Sequence, residues 1–188
     1  MPFTIAFCNG KGGTGKTTVA MLTAFVLHDR GQRVVVDDRD PQGNATAIAS
    51  EFGLSTAPDD RCDFVIVDTS PDIERPATLL AFRSADLVVL VARPEFFDLV
   101  STIATARCVQ RERDPSLPTL VLFNQVRPQT IISREILEAK PSLPFPCLNT
   151  LIHQRAGYSR ANRYGWRALG PVERAEILQL CIELLTHK

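Results

Sequence analysis

The sequence has no excess of charge of either sign: 21 lysines and arginines stand against 21 aspartates and glutamates in 188 residues. A chain of zero net charge does not attract nucleic acid as a whole, so any such binding has to come from a local patch. Its five cysteines, Cys8, Cys62, Cys108, Cys147 and Cys181, are odd in number and nowhere spaced as C-x-x-C. That argues against a disulfide framework or a zinc site and for a reducing compartment. No apolar run is long enough to span a bilayer, and the first residues pass straight into a strand pattern instead of a signal peptide. A soluble, cytoplasmic protein is expected. Repeats and low-complexity linkers are also missing, and nothing marks a second domain, so residues 1–188 read as one domain. With 45% hydrophobic and 22% charged residues, it is large enough for a three-layer core.

What is present is concentrated near the start. Gly10, Gly15, Lys16 and Thr17 satisfy the pattern G-x-x-x-x-G-K-[ST], with Lys11, Gly12, Gly13 and Thr14 between and Thr18 following. A chance match in a chain of this length occurs on the order of once in a hundred sequences or less. The motif follows an apolar run at 3–7 and precedes an apolar helical pattern at 17–28. A phosphate-binding loop needs that context: its glycines let backbone N–H groups turn inward around a polyphosphate, and the helix N-terminus adds a partial positive charge. Lys16 is expected at the β- and γ-phosphates of a nucleoside triphosphate and Thr17 on Mg²⁺. Lys11 is a second lysine that a plain phosphate loop does not require.

Short, β-branched, almost wholly apolar runs at 3–8, 33–36, 64–67, 87–91 and 120–123 read as strands buried on both faces. Helical patterns at 17–30, 77–84, 98–112 and 133–139 alternate with them. The fold expected is an α/β P-loop fold: a three-layer, mostly parallel, twisted sheet flanked by helices. The last quarter adds a strand near 148–152, a basic helical segment at 154–167 and a helix from Pro171 to Leu185. Residues 50–61 read as a connection with few apolar anchors, and 141–146 as a proline-rich loop. Ligands of such sheets lie beyond the carboxyl ends of the strands. There the sequence places Asp37-Asp38-Arg39-Asp40-Pro41-Gln42-Gly43-Asn44 after the second strand and Asp68-Thr69-Ser70-Pro71 after the third. An aspartate closing an apolar strand, as Asp68 does, is a Walker B arrangement for holding Mg²⁺ directly or through water.

Lys11-Gly12-Gly13-Thr14-Gly15-Lys16-Thr17-Thr18, Asp38-Arg39-Asp40-Pro41-Gln42-Gly43-Asn44 and Val67-Asp68 together resemble the deviant Walker A, switch I and Walker B of the ParA/MinD family of partitioning ATPases. The likeness continues through 85–91, Asp98, Asn124 and Gln154-Arg155. The resemblance implies a slow, partner-stimulated ATPase using ATP and Mg²⁺, and a homodimer in the ATP state in which Lys11 reaches the partner's nucleotide. It implies that Asp40 orients or activates the attacking water, that Asp38 lies near the magnesium shell, and that Asn124 reads adenine through its side-chain amide. It further implies a ParB-like or adaptor protein as activator, and association with the nucleoid. No helix-turn-helix extension like that of the larger plasmid ATPases is expected, and the resemblance is to the small partition ATPases. Two departures stand out. Asp37 occupies a usually apolar strand position and needs a hydrogen-bond partner or solvent, and Thr69-Ser70-Pro71-Asp72 replaces the commoner double proline.

Arg160, Arg163 and Arg167 recur at spacings of three and four, with Arg155 before and Arg174 after them, and Glu173 is the one acidic residue in 151–174. Such a stripe can neutralise DNA phosphates without reading sequence, and small members of the family bind nonspecific DNA through this part of the fold. A solvated helix face is the plain alternative. The glutamates of the final helix, Glu173, Glu176 and Glu183, argue against attachment to anionic membranes. The function expected is an ATP-dimerised, DNA-associated switch for segregating or positioning a plasmid, chromosome region or protein cargo. The alternatives are a MinD-like spatial regulator at a membrane and a small-molecule P-loop kinase, though a kinase has no use for Lys11 or for 38–44.

Overall fold

A computed structural model describes residues 1–57, 59, 61–138 and 143–188. The chain alternates strands and helices: β1 (Phe3–Cys8), α1 (Lys16–Asp29), β2 (Val34–Asp38), α2 (Asn44–Glu51), β3 (Phe64–Asp68), α3 (Pro76–Ser84) and β4 (Leu87–Ala92). There follow α4 (Phe96–Glu112), β5 (Thr119–Val126), α5 (Ile131–Glu138), β6 (Cys147–His153), α6 (Ala156–Tyr164), a 3-10 turn at Trp166–Ala168, and α7 (Pro171–Leu185). The strands form one sheet in the order β2-β3-β1-β4-β5-β6, every neighbouring pair parallel.

Side chains alternate across each strand, and the sheet therefore feeds two cores. Ile5, Phe7, Leu87, Val89, Leu120 and Leu122 pack with residues of α1, α2, α6 and α7. Ala6, Cys8, Val88, Leu90, Val121 and Phe123 face the opposite way, toward α3, α4 and α5. Helix α1 touches β1, β2, β3, α2, α6 and α7 at once. That explains why it is apolar nearly all round instead of carrying a single stripe.

Every expected strand is present within two or three residues of its expected limits. Helix α2 was not anticipated. It buries only Ala45 and Ala49, so it leaves no large apolar period to read, and part of its hold is polar: Asp38 Oδ2 accepts the Thr46 N–H at 2.8 Å. Of the expected connection at 50–61, residues 50 and 51 belong to α2, and the chain after it touches the sheet edge, where the Val36 N–H donates to the Ser55 carbonyl at 2.8 Å. Residues 58 and 60 of that stretch, the end of the expected helix at 139, and 141–142 of the proline-rich loop lie outside the described residues.

The basic segment 154–167 is not one helix. It stops at Gly165, whose φ of 72° lies in the left-handed region and whose added Cβ would meet a Phe52 ring carbon at 2.8 Å. Arg160 and Arg163 ride on α6, Arg155 precedes it as the N-cap residue, and Arg167 sits in the separate turn. The expected stripe of four arginines thus reduces to a pair on one helix. Helix α7 is a core helix, burying Ile177, Leu180, Cys181 and Leu184.

Candidate nucleotide-binding site

Residues 9–15 join β1 to α1 and are held open from both sides. Asn9 is fully buried. Its amide donates to the Val91 carbonyl at 2.9 Å and to Thr102 Oγ1 at 2.8 Å, while its Oδ1 accepts the Lys11 N–H at 3.0 Å. The Gly10 N–H donates to Thr105 Oγ1 at 2.9 Å. From the other flank the Asn124 amide donates to the Thr14 carbonyl at 2.7 Å and the Gln125 amide to the Gly13 carbonyl at 3.1 Å. Asn124, expected as an adenine reader, here braces the loop with its amide nitrogen. The contributions of Asn9, Thr102, Thr105 and Gln125 were missed, since no local pattern announces them.

Gly15 is the N-cap of α1 in the left-handed conformation, and neither a side-chain cap nor an acidic first-turn residue satisfies the helix's first N–H groups. Those donors are what an anion takes up. Lys16 is 6% exposed, and its ammonium crosses the loop to the Lys11 carbonyl at 3.3 Å. Burial lowers its pKa, while the Asp68 carboxylate pulls it back up. A polyphosphate seated among these groups completes the charge balance of a desolvated cation. Lys11, by contrast, is exposed, and no hydrogen bond or ion pair holds its ammonium among the described residues.

Beside the loop, the register of β2 and β3 sets Asp38 opposite Asp68. Thr17 Oγ1 donates to Asp68 Oδ2 at 2.6 Å. Asp68 Oδ1 is buried and has no hydrogen-bond partner among the described residues. Burial, reinforced by the Asp38 and Asp40 charges and opposed by the Thr17 hydrogen bond and Lys16, pushes the Asp68 carboxyl up to about 7. A buried, orphaned carboxylate oxygen beside a hydroxyl fits Mg²⁺, which would supply the missing partner and favour the ionised form. Asp38 is occupied with the following loop: Oδ1 accepts the Asp40 N–H at 3.1 Å and Oδ2 that of Thr46. Asp40 Oδ1 in turn accepts the Gln42 N–H at 3.0 Å. Asp37 finds the partner it needs, the Arg39 guanidinium, at 2.8 Å. The segment after β3 is tied to β1 through Thr69, whose hydroxyl donates to the Phe7 carbonyl at 3.0 Å, and Asp98 pairs with Arg93 at 2.9 Å.

At the other end of the loop a cavity of about 350 Å³ runs from Gly15 and Thr18 to Asn124, Gln154 and Arg155. Arg155 is ion-paired with Glu176 at 2.9 Å, which sets it in the wall of this cavity and apart from the exposed Arg160 and Arg163. Asn162 of α6 donates to Thr18 Oγ1 at 3.0 Å.

A glycine cradle with a buried lysine in it and a hydroxyl-carboxylate pair beside it suit a nucleotide. The profile of the CobQ/CobB/MinD/ParA nucleotide binding domain matches residues 5–166. The chain belongs to this family. It is a ParA-like P-loop ATPase, and the residues of its site fit ATP with Mg²⁺. The "Maintenance of carboxysome distribution protein A" of Gloeobacter kilaueensis is 31% identical over 88% of this chain and 86% of its own length. The protein of the same name from Halothiobacillus neapolitanus is 28% identical, over 85% and 83%. The chromosome-partitioning ATPase Soj of Thermus thermophilus is 28% identical over 70% and 73%. The fold matches a putative plasmid partition protein of Borrelia burgdorferi bound to AMPPNP, with TM-score 0.76 at 16% identity over the whole of both chains. It also matches the septum site-determining protein MinD of Pyrococcus horikoshii with Mg-ADP, with TM-score 0.71 at 15% identity, over 98% of this chain and 96% of the other.

Proposed function

We propose that residues 1–188 act as one domain and form an ATP-dimerised, DNA-associated switch that positions or segregates a cargo. The observation that carries this reading is the contrast between the two lysines of one loop: Lys16 is buried over the cradle while Lys11 is exposed and, among the described residues, unpaired. A cation left free beside a triphosphate site is suited to the nucleotide of a second copy. In this reading Lys16 and Thr17 hold the phosphates and Mg²⁺, Asp68 and Asp38 complete the metal end, and Asp40 sets the attacking water. A ParB-like or adaptor protein speeds hydrolysis.

Arg160 and Arg163 supply the DNA contact: both are exposed and neither is ion-paired among the described residues. Helix α7 does not serve a membrane, since Glu183 and Glu176 accept backbone N–H groups of β6, from Asn149, Thr150 and His153. Among the described residues no helix is long and apolar enough to cross a bilayer. Relatives named for carboxysome distribution and chromosome partitioning support a positioning role.

The test compares three proteins with Mg²⁺ and a nonhydrolysable ATP analogue, by light scattering and by fluorescence anisotropy on duplex DNA at several salt concentrations. Wild type should dimerise and bind DNA. Lys11→Ala should bind nucleotide yet stay monomeric and off DNA. The Arg160→Ala/Arg163→Ala protein should dimerise without binding DNA, each lost phosphate contact flattening the log–log salt slope by about one unit. A dimerising Lys11→Ala, or a double variant that binds DNA normally, refutes the reading.

A further inference from the structure

The geometry points to Glu176 of α7 as the positioning residue that shapes the nucleoside end of the ATP site. The phosphate cradle spans 10–17, with the metal end at Asp68, so the nucleoside has to leave it on the far side, past Gly15 and Thr18. The 350 Å³ cavity opens there. A second cavity of about 420 Å³, lined by Val126, Arg127, Pro128 and Gln129, shares His153, Gln154 and Arg155 with the first. These three residues are therefore the partition between the two spaces, and their placement decides how wide the nucleoside space is.

Glu176 holds that partition at both ends. Its Oε1 accepts Arg155 Nη2 at 2.9 Å and Nε at 3.2 Å, and lies 2.9 Å from His153 Nδ1. Its Oε2 accepts the His153 N–H at 3.1 Å and the Tyr158 hydroxyl at 2.6 Å. Tyr158 also lines the first cavity. The carboxylate is 14% exposed. Burial by itself would raise its pKa, but the bonds from Tyr158, Arg155 and His153 outweigh it and hold the carboxyl below the usual range. A charged acceptor collecting the donors of one partition fixes an otherwise mobile arginine in a single place. The inference goes beyond the DNA-switch reading and does not depend on it, since it concerns nucleotide binding by the chain alone.

The test uses two probes that share the cradle and differ in the nucleoside: Mg·ATP and Mg·tripolyphosphate, titrated calorimetrically into wild type, Glu176→Gln, Arg155→Ala and the double variant. Each single variant should weaken ATP by about tenfold, the scale of a charge-assisted hydrogen bond, and leave tripolyphosphate within about twofold. The double variant should be no weaker for ATP than the worse single one, because both remove the same support. Equal losses for both probes would make Glu176 a packing residue and overturn the assignment. Unchanged ATP binding in Glu176→Gln, or additive losses in the double variant, would overturn it as well. Should Glu176→Gln fail to fold, Arg155→Ala decides: an ATP loss without a tripolyphosphate loss is expected, and any other pattern refutes.

Discussion

Replacing Gly15 by alanine should destabilise the protein far more than the same change two residues earlier. Gly15 has φ 89° and ψ 23°, and holding an alanine there costs about 1–2 kcal/mol. An added Cβ would also lie 2.3 Å from the Asn124 amide nitrogen. The amide has to move, and the bond it gives to the Thr14 carbonyl at 2.7 Å is lost. Thr14 is fully buried, so the unpaired carbonyl adds about 1–3 kcal/mol. The sum, about 2–5 kcal/mol, is a large share of the ~5–15 kcal/mol that a domain has. Gly13 is the control: its φ is 79°, but nothing lies within 4 Å of its added Cβ, so Gly13→Ala should cost only the strain, about 1–2 kcal/mol. With Asn124→Ala in the background the clash disappears, and Gly15→Ala should again cost only the strain. Urea unfolding of wild type, the three single variants and the Gly15→Ala/Asn124→Ala protein, without nucleotide, reads the cycle. If Gly15→Ala is as mild as Gly13→Ala, or its cost is the same with and without Asn124, the brace across the loop is not what Gly15 makes room for.

Two further outcomes are expected. Asp40→Ala should keep ATP yet lose about 10²-fold or more of turnover, the scale of a general-base contribution; phosphate release equal to wild type would remove Asp40 from the reaction. The Asp68 carboxyl is raised from 3.8 to about 7 in the folded chain. For a raised acid the folded state binds the proton more tightly, so this contribution to apo stability is complete below pH ~4 and fades as pH rises through ~7. Mg²⁺ prefers the ionised form, so its affinity should climb over the same interval. Melting temperatures from pH 4 to 8 should show the slope in wild type and lose it in Asp68→Asn; parallel curves would show that Asp68 is not the titrating group.

The phosphate loop, the strands and Asp68 at a strand end were legible without coordinates because each is a local pattern: glycines and a lysine at fixed spacing, or an apolar run closed by an acid. The carboxylate at 37, in a usually apolar position, even announced that it required a partner, though not that the partner would be Arg39 two residues on. Helix α2 was not legible, since two buried alanines leave no period. The arginine stripe was misleading because spacing assumes a continuous helix. Gly165 ends that helix against Phe52, a neighbour 113 residues away in sequence, which no local pattern contains. Arg155 likewise matched the stripe in sequence but belongs to Glu176, 21 residues on, and so to the cavity wall. The sequence by itself therefore determined the chemistry of the cradle and the class of fold. Tertiary structure decided which side chains brace the cradle, such as Asn9 with Thr102 and Asn124 with Thr14, 93 and 110 residues apart. Hydrogen bonds across such separations depend on strand order and helix packing, which are properties of the whole sheet and not of any stretch of it.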